Sequence, residues 1–188
     1  MTKEEKAKWV HQYPILHEDY AFTVCRIEPE NNLDMIIQAY LASRQMMPYL
    51  IVGNWKASAY GENLRNKYGN EKKLMLLDPI YDQDELNALR SNCRIYLHGH
   101  SAGGTNPSLV EAMYLALPII AYRVSYNLAT TNHDARYFHS SESLVKILNE
   151  VTDEDLEEMS VKMKSYAEKN YLWKDISLKY VEAIKYQD

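Results

Sequence analysis

Arg94 to Tyr122 reads RIYLHGHSAGGTNPSLVEAMYLALPIIAY, and the reading of this stretch decides the fold. Ile95-Tyr96-Leu97 is a short apolar run of strand-favouring residues, and residues 117–122 make a second one. Between them, Pro107 stands where a first helical residue belongs: its fixed φ suits that position and its missing N–H costs nothing there. Asn106, just before it, is a good N-cap residue, with a side-chain oxygen able to take an orphan N–H of the first turn. Leu109, Val110, Met113 and Tyr114 then share one helical face. The stretch is strand, glycine-bearing loop, helix, strand.

The loop itself, Gly99-His100-Ser101-Ala102-Gly103-Gly104-Thr105-Asn106, carries the candidate chemistry. Two adjacent glycines open backbone conformations closed to other residues and let a ligand approach the main chain. They lead into a helix N-terminus, where free N–H groups and the dipole favour an anion such as phosphate. Glu111 lies about one turn into that helix, and helical side chains lean back toward the N-terminus. Its carboxylate is thereby expected at the mouth of the same site, accepting hydroxyl hydrogen bonds. The plainer reading is a tight turn, with Glu111 merely complementing the helix dipole. Spacing alone leaves both open.

Outward from this unit the chain alternates. Residues 20–26 make a strand, and Asn31-Asn32 caps a helix over 33–44 with Met35, Ile36, Ala39 and Tyr40 on its apolar stripe. Residues 49–52 are a continuous apolar run ended by Gly53-Asn54, which suits a buried parallel strand. A polar helix over 59–68, a strand over 74–77 stopped by Asp78-Pro79, and a short helix over 84–91 precede the central unit. After Tyr122 the reading is a polar loop over 123–134, a short strand over 135–138, and helices over 142–150, 153–168 and 173–186. The first eighteen residues read as a short charged helix and then an extended piece around Pro14. Strands alternating with helices at this spacing argue for an α/β fold, a Rossmann-like doubly wound parallel sheet with C-terminal helices. Ligands in such sheets bind beyond the carboxyl ends of the strands, at a switch point. The loops at those ends are 26–31, 53–58, 78–81 and 99–106.

The chain has 188 residues, enough for one domain with an ample core, and the sequence reads as a single domain with 1–18 a leading segment and 171–188 a closing helix. With 46% hydrophobic and 25% charged residues it is ordinary globular composition, and the net charge of −5 gives no support for nucleic-acid binding. The two cysteines, Cys25 and Cys93, sit in or beside strands and read as buried free thiols, which points to a reducing, cytoplasmic setting. No apolar run is long enough to cross a bilayer, and the charged start lacks the apolar segment of a secretory signal.

The run GGTNPSLVEAMYLALPIIAY resembles the donor-site signature of the family-4 (group 1) glycosyltransferases, retaining enzymes built from two Rossmann-like halves, the GT-B arrangement. That signature is a Glu, seven residues, a second Glu, then Ala-Met and, later, Pro before a short apolar strand. Glu111-Ala112-Met113 and Pro118-Ile119-Ile120-Ala121 match its second half, while Gly103 stands where the first Glu belongs. The Gly-Gly-Thr-Asn-Pro-Ser form of the loop is similar to that of bacterial rhamnosyltransferases using a deoxythymidine-diphosphate (dTDP) donor. The resemblance implies a C-terminal, nucleotide-sugar-binding domain whose partner, an N-terminal acceptor domain, lies outside this chain. It implies a dTDP- or UDP-sugar substrate, no cofactor, transfer of a hexosyl or 6-deoxyhexosyl group to a lipid-linked or surface-polysaccharide acceptor, and peripheral association with the inner membrane face through the other domain. By the same resemblance the isolated chain is expected to bind donor weakly and transfer nothing. The alternatives are a non-catalytic nucleotide-sugar-binding module and a sugar-nucleotide epimerase. A dinucleotide oxidoreductase is disfavoured, since no G-x-G-x-x-G follows the first strand.

The same resemblance assigns roles. Arg26, after the first strand, is the candidate catalytic residue, its guanidinium forking two phosphate oxygens of the departing diphosphate. The family's Lys five residues later is here Asn31. Gly53 and Asn54 would shape the site floor, and Ile80 would line the nucleobase pocket. His100, Ser101, Gly103, Gly104, Thr105, Asn106 and Glu111 complete the nucleotide-sugar set. Trp55 reads equally as packing. His98 and His100 are accompanied by no further histidine or acid cluster with ligand spacing, so no metal is expected. His98 reads as a satisfied packing residue, and Thr130 to His133 as a solvated loop.

Overall fold

A computed structural model describes residues 8–172. Its strands are β1 (Ala21–Val24), β2 (Tyr49–Val52), β3 (Leu74–Leu77), β4 (Ile95–His98), β5 (Ile119–Tyr122) and β6 (Arg136–Phe138). They form one sheet in the order β3-β2-β1-β4-β5-β6, with every neighbouring pair parallel. Around it lie α1 (Leu33–Ala42), α2 (Ala59–Tyr68), α3 (Gln83–Ser91), α4 (Pro107–Tyr114), α5 (Ser125–Thr130), α6 (Ser141–Glu150) and α7 (Asp153–Asn170).

Successive residues of a strand face opposite sides of the sheet, and here both sides are covered. Ala21, Tyr49, Ile51, Ile95, Leu97 and Ile120 pack with α1, α2 and α6 on one face. Phe22, Leu50, Val52, Tyr96, Ile119 and Ala121 pack with α3 and α4 on the other. This two-sided burial is why Tyr49–Val52 shows no polar alternation. The helix α7 contributes Leu156 and Met159 to the first face and Met163 and Ala167 to the second. The result is the doubly wound, Rossmann-like sheet expected from the sequence.

The strand order reverses between β1 and β4, and there the ladder is short. Ala21 pairs with Ile95 and Phe22 with Tyr96, after which the two strands part. Thr23 bridges the parting, its Oγ1 donating to the Leu97 carbonyl at 2.7 Å. Beyond it the chain ends diverge, which opens the carboxyl edge of the sheet at the switch point.

Four local readings are corrected. Pro14–His17 is a 3-10 turn rather than an extended piece, because Ile15 and Leu16 bury themselves against the α3–α4 face. The segment 123–134 is not a loop throughout: it holds α5, with Asn127, Thr130 and Thr131 buried. Asn32 precedes α1 in the left-handed region (φ 51°) and makes no side-chain cap; its Nδ2 donates to the Gly99 carbonyl at 2.8 Å instead. Cys93 is a buried free thiol as expected, whereas Cys25 is half-buried. The helix expected over 173–186 and the charged start, residues 1–7, lie outside the described residues.

Candidate functional site

A cleft of about 350 Å³ opens where β1 and β4 part. Residues 23–26 and Asn31 form one wall, 98–100 the floor, and 106–108 with Glu111 the other wall. Among the predicted residues, Arg26, His100, Asn106 and Glu111 are brought together here.

The β1 wall is knitted by Asn31. It is 5% exposed, and its Nδ2 donates to the Arg26 carbonyl at 2.8 Å. Its Oδ1 therefore faces His100 Nδ1 at 3.0 Å, so that nitrogen carries the proton. The residue standing where the family pattern has Lys thus orients a histidine instead of offering a cation. Ser101 is committed in the same way: its N–H and its hydroxyl both donate to the Glu30 carbonyl, at 2.8 and 2.9 Å. Ser101 ties the two loops together, and its hydroxyl hydrogen is spent on Glu30, which leaves the oxygen as an acceptor.

Asn106 caps α4 as expected, and this changes where free donors lie. Its Oδ1 accepts from Ser108 N–H at 3.0 Å and from the Ser108 hydroxyl at 2.8 Å, while its carbonyl accepts from Leu109 and Val110. With Pro107 lacking an N–H, the first turn of the helix has spent its donors internally. The expectation of free helix amides is corrected. N–H groups without a partner among the described residues are found instead in the preceding loop, those of Gly103, Gly104, Thr105 and Asn106 among them. Gly103 adopts φ +96°, which favours glycine, and Gly104 has nothing within 4 Å of a built Cβ. Residues 102–105 are exposed and stand outside the lining of the cleft, which the loop enters at Asn106.

Arg26 lines the cleft with its side chain 76% exposed and ion-paired to Glu30 at 3.3 Å. Glu111 also lines it, half exposed, with Oε2 2.5 Å from Nη1 of Arg90. Arg90, 2% exposed in α3, also donates to Asn87 Oδ1 at 2.8 Å. A buried guanidinium that holds one oxygen fixes the direction of the other. Cys25, in the lining, has its thiol pKa pushed up to about 12, by burial first and by the charge of Glu30 second, so it offers no thiolate.

His98 departs from the satisfied packing residue expected. It is 5% exposed, and its Nε2 is buried without a hydrogen-bond partner among the described residues. Burial, and then the neighbouring His100, hold its pKa down at about 3, so the ring is neutral. Among the described residues, no group of three or more His, Cys, Asp and Glu side chains is placed to hold a metal ion.

The remaining predicted residues do not line this cleft. Gly53 is a packing glycine: a Cβ there would meet the Ile27 side chain and stand 2.6 Å from the Cys25 carbonyl. Asn54 accepts from Lys56 N–H in its own turn, and Trp55 is core, its Nε1 donating to the Leu77 carbonyl at 2.8 Å. Ile80 packs against the α3–α4 face, in the loop after β3 on the same sheet edge. Sequence reasoning missed Thr23, Arg90 and Ser108. It also missed Asn127, which sits in α5 and donates to the carbonyls of His100 and Tyr122, both at 2.9 Å. A polar residue at an otherwise apolar position was the available signal for Thr23. Nothing in the sequence pairs Arg90 with Glu111.

Residues 5–170 match the family described as glycosyl transferases group 1, and the chain belongs to that family. No curated protein sequence matches it significantly. Among solved structures it resembles HepE of Anabaena, determined in complex with UDP-glucose, at 16% identity over 98% of this chain and 53% of that one, TM-score 0.84. A glycosyltransferase of Rickettsia africae follows, at 15% identity over 98% and 52%, TM-score 0.81. Sucrose-phosphate synthase of Thermosynechococcus elongatus resembles it at 16% identity over 96% and 48%, TM-score 0.78. At such identities the likeness shows the fold, that of one half of these glycosyltransferases. The chain spans about half the length of each. Among the described residues no helix is long and apolar enough to cross a membrane.

Proposed function

We propose that this chain is the nucleotide-sugar-binding domain of a retaining glycosyltransferase, completed by an acceptor-binding domain beyond it. The observation that carries the reading is the cleft at the β1–β4 switch point, bordered by loop amides without partners among the described residues and walled by a carboxylate held from behind by Arg90. HepE, solved with UDP-glucose, lends support from the same fold.

In glycosyl transfer the bond from the anomeric carbon to the diphosphate breaks, and negative charge builds on the leaving group. The protein's part is electrostatic. In this reading the amides of residues 103–106 receive the phosphate oxygens. Arg26 reaches them by letting go of Glu30; an exposed pair of this kind is worth only about 0–1 kcal/mol, so the exchange is cheap. Glu111, anchored through Oε2, presents its other oxygen to ribose hydroxyls. A dTDP donor lacks the 2′-hydroxyl and gives Glu111 one partner fewer than a UDP donor. From the Gly-Gly-Thr-Asn-Pro-Ser loop we read the donor as dTDP-rhamnose or another 6-deoxyhexose, and the acceptor as a lipid-linked or surface polysaccharide at the inner membrane face. No cofactor enters. The chain alone binds donor without transferring its sugar.

Calorimetric titration with UDP, dTDP and their sugars tests this: binding of a nucleoside diphosphate that weakens on Glu111→Ala is expected, and no binding by any of them overturns the reading. A second reading, a non-catalytic nucleotide-sugar module, is favoured by Gly103 and Asn31, which put no charge where the family pattern has two. Arg26→Ala and Glu111→Ala in the complete protein decide between them. Loss of transfer in both supports the enzyme, and intact transfer in both puts the active site elsewhere.

A further inference from the structure

His98 lines the floor of the cleft and carries a buried polar atom, Nε2, that has no hydrogen-bond partner among the described residues. His98 closes β4, a strand otherwise of Ile, Tyr and Leu, all buried. An aliphatic residue there would bury apolar surface at no polar cost; a histidine whose Nε2 is buried and unpaired costs free energy. The ring is fixed between Tyr96, stacked at 6.1 Å between centroids, and His100 at 6.2 Å. It borders the cleft beneath the walls that carry Arg26 on one side and Glu111 on the other.

The two histidines of the floor are differently equipped. His100 has its Nδ1 proton held by Asn31, and its Nε2 lies 3.8 Å from the Cβ position of Gly103, under the loop with the free amides. His98 has no such carboxamide partner and stays neutral down to a pH of about 3. A neutral imidazole carries one N–H and one lone pair, which suits a hydroxyl, itself both donor and acceptor. It brings no charge to a diphosphate. Groups suited to phosphate are already supplied by Arg26 and the loop amides, and the ribose falls to Glu111.

We infer that His98 hydrogen-bonds a hydroxyl of the glycosyl group of the bound nucleotide sugar, and so helps to select which sugar the cleft accepts. The inference rests on the nucleotide-sugar reading above and adds to it the part of the ligand that His98 reads.

Titration of the full chain with two pairs of probes, dTDP against dTDP-rhamnose and UDP against UDP-glucose, tests it. For whichever sugar binds, His98→Met weakens the nucleotide sugar about tenfold and leaves its nucleoside diphosphate within about twofold, while His98→Gln, which keeps a donor and an acceptor, loses about threefold. Equal weakening of both members of a pair, or of neither, overturns the inference while leaving nucleotide binding intact. If wild-type chain binds neither diphosphate, the nucleotide reading fails and this inference with it. Should His98→Met not fold, imidazole nitrogen NMR of the unmutated chain gives the answer. The His98 resonances shift on adding the nucleotide sugar and stay put on adding the diphosphate; shifts alike with both, or absent with both, overturn the inference.

Discussion

The two loops that flank the switch point are built on opposite plans. After β1, residues 26–32 are knitted shut: Asn31 binds the Arg26 carbonyl and His100, Asn32 binds the Gly99 carbonyl, and Ser101 reaches across to Glu30. After β4, residues 102–105 make no such bonds, and their backbone is exposed. One loop is a rigid wall in which the side chains of Asn31 and Asn32 are consumed and the Arg26 guanidinium is left exposed. The other is an open rim with its donors unspent. A binding site for a flexible, charged ligand needs both, since a rigid wall fixes position and free amides can turn from water to a ligand oxygen without breaking a hydrogen bond within the protein.

Substitutions can break that contrast, and the largest effect is expected at Gly99, where the two loops touch. A Cβ there collides with the Asn31 carbonyl and stands 2.6 Å from Ile36 Cδ1, so the backbone itself must move. Gly99→Ala is expected to cost about 3 kcal/mol in denaturant unfolding. Acid comes next and probes the floor between the loops. His98 has its folded pKa lowered to about 3, against about 6.5 in an unfolded chain, so between those values the unfolded state binds more protons. Stability is therefore full above about pH 6.5 and falls progressively as pH drops towards 3; His98→Met flattens that part of the profile, measured by unfolding at a series of pH values.

At Asn106 the contrast is sharpened instead. Removing the cap costs about 1 kcal/mol of stability but releases the Ser108 N–H, so Asn106→Ala is expected to melt earlier while keeping its affinity for a nucleoside diphosphate. A variant that keeps full stability and loses binding would mean that the Asn106 side chain contacts the ligand directly. The smallest structural effect belongs to Gly104, which has nothing near its Cβ position. Gly104→Ala is expected to change stability by less than about 0.5 kcal/mol, yet to weaken nucleotide binding if the ligand lies against this stretch of backbone. Thermal melts paired with titration separate the two quantities.

How much of this was legible in the sequence follows from the range of each interaction. The sheet was readable because its signals are local: Tyr49–Val52 is apolar without alternation, and Pro107 behind Asn106 marks a helix start within two residues. Short-range turn chemistry was readable only in part. Asn32 looks like a cap, but a carbonyl from Gly99, distant in the chain, competes for its side chain and wins. The site divided in the same way. Arg26, His100, Asn106 and Glu111 lie at the ends of readable elements, so the parallel topology brings them to one edge. Arg90 was hidden, because a basic residue in the last turn of an amphipathic helix reads as an ordinary partner of the helix dipole and gives no sign that it will be buried against a carboxylate of the next helix. His98 was misread because alternation along a strand shows which face a side chain takes and not whether it finds a partner there. Gly53 and Asn54 were drawn into the site by likeness to other loops, whereas Ile27 and the Cys25 carbonyl account for the glycine by packing alone.

The most direct measurement is a crystal structure of the chain grown with UDP or dTDP. The account predicts the β-phosphate against the N–H groups of residues 103–106, above Asn106, with the ribose turned towards the free oxygen of Glu111. A nucleotide seated elsewhere, with the Gly103-Gly104 rim unchanged and solvent-facing, would contradict it.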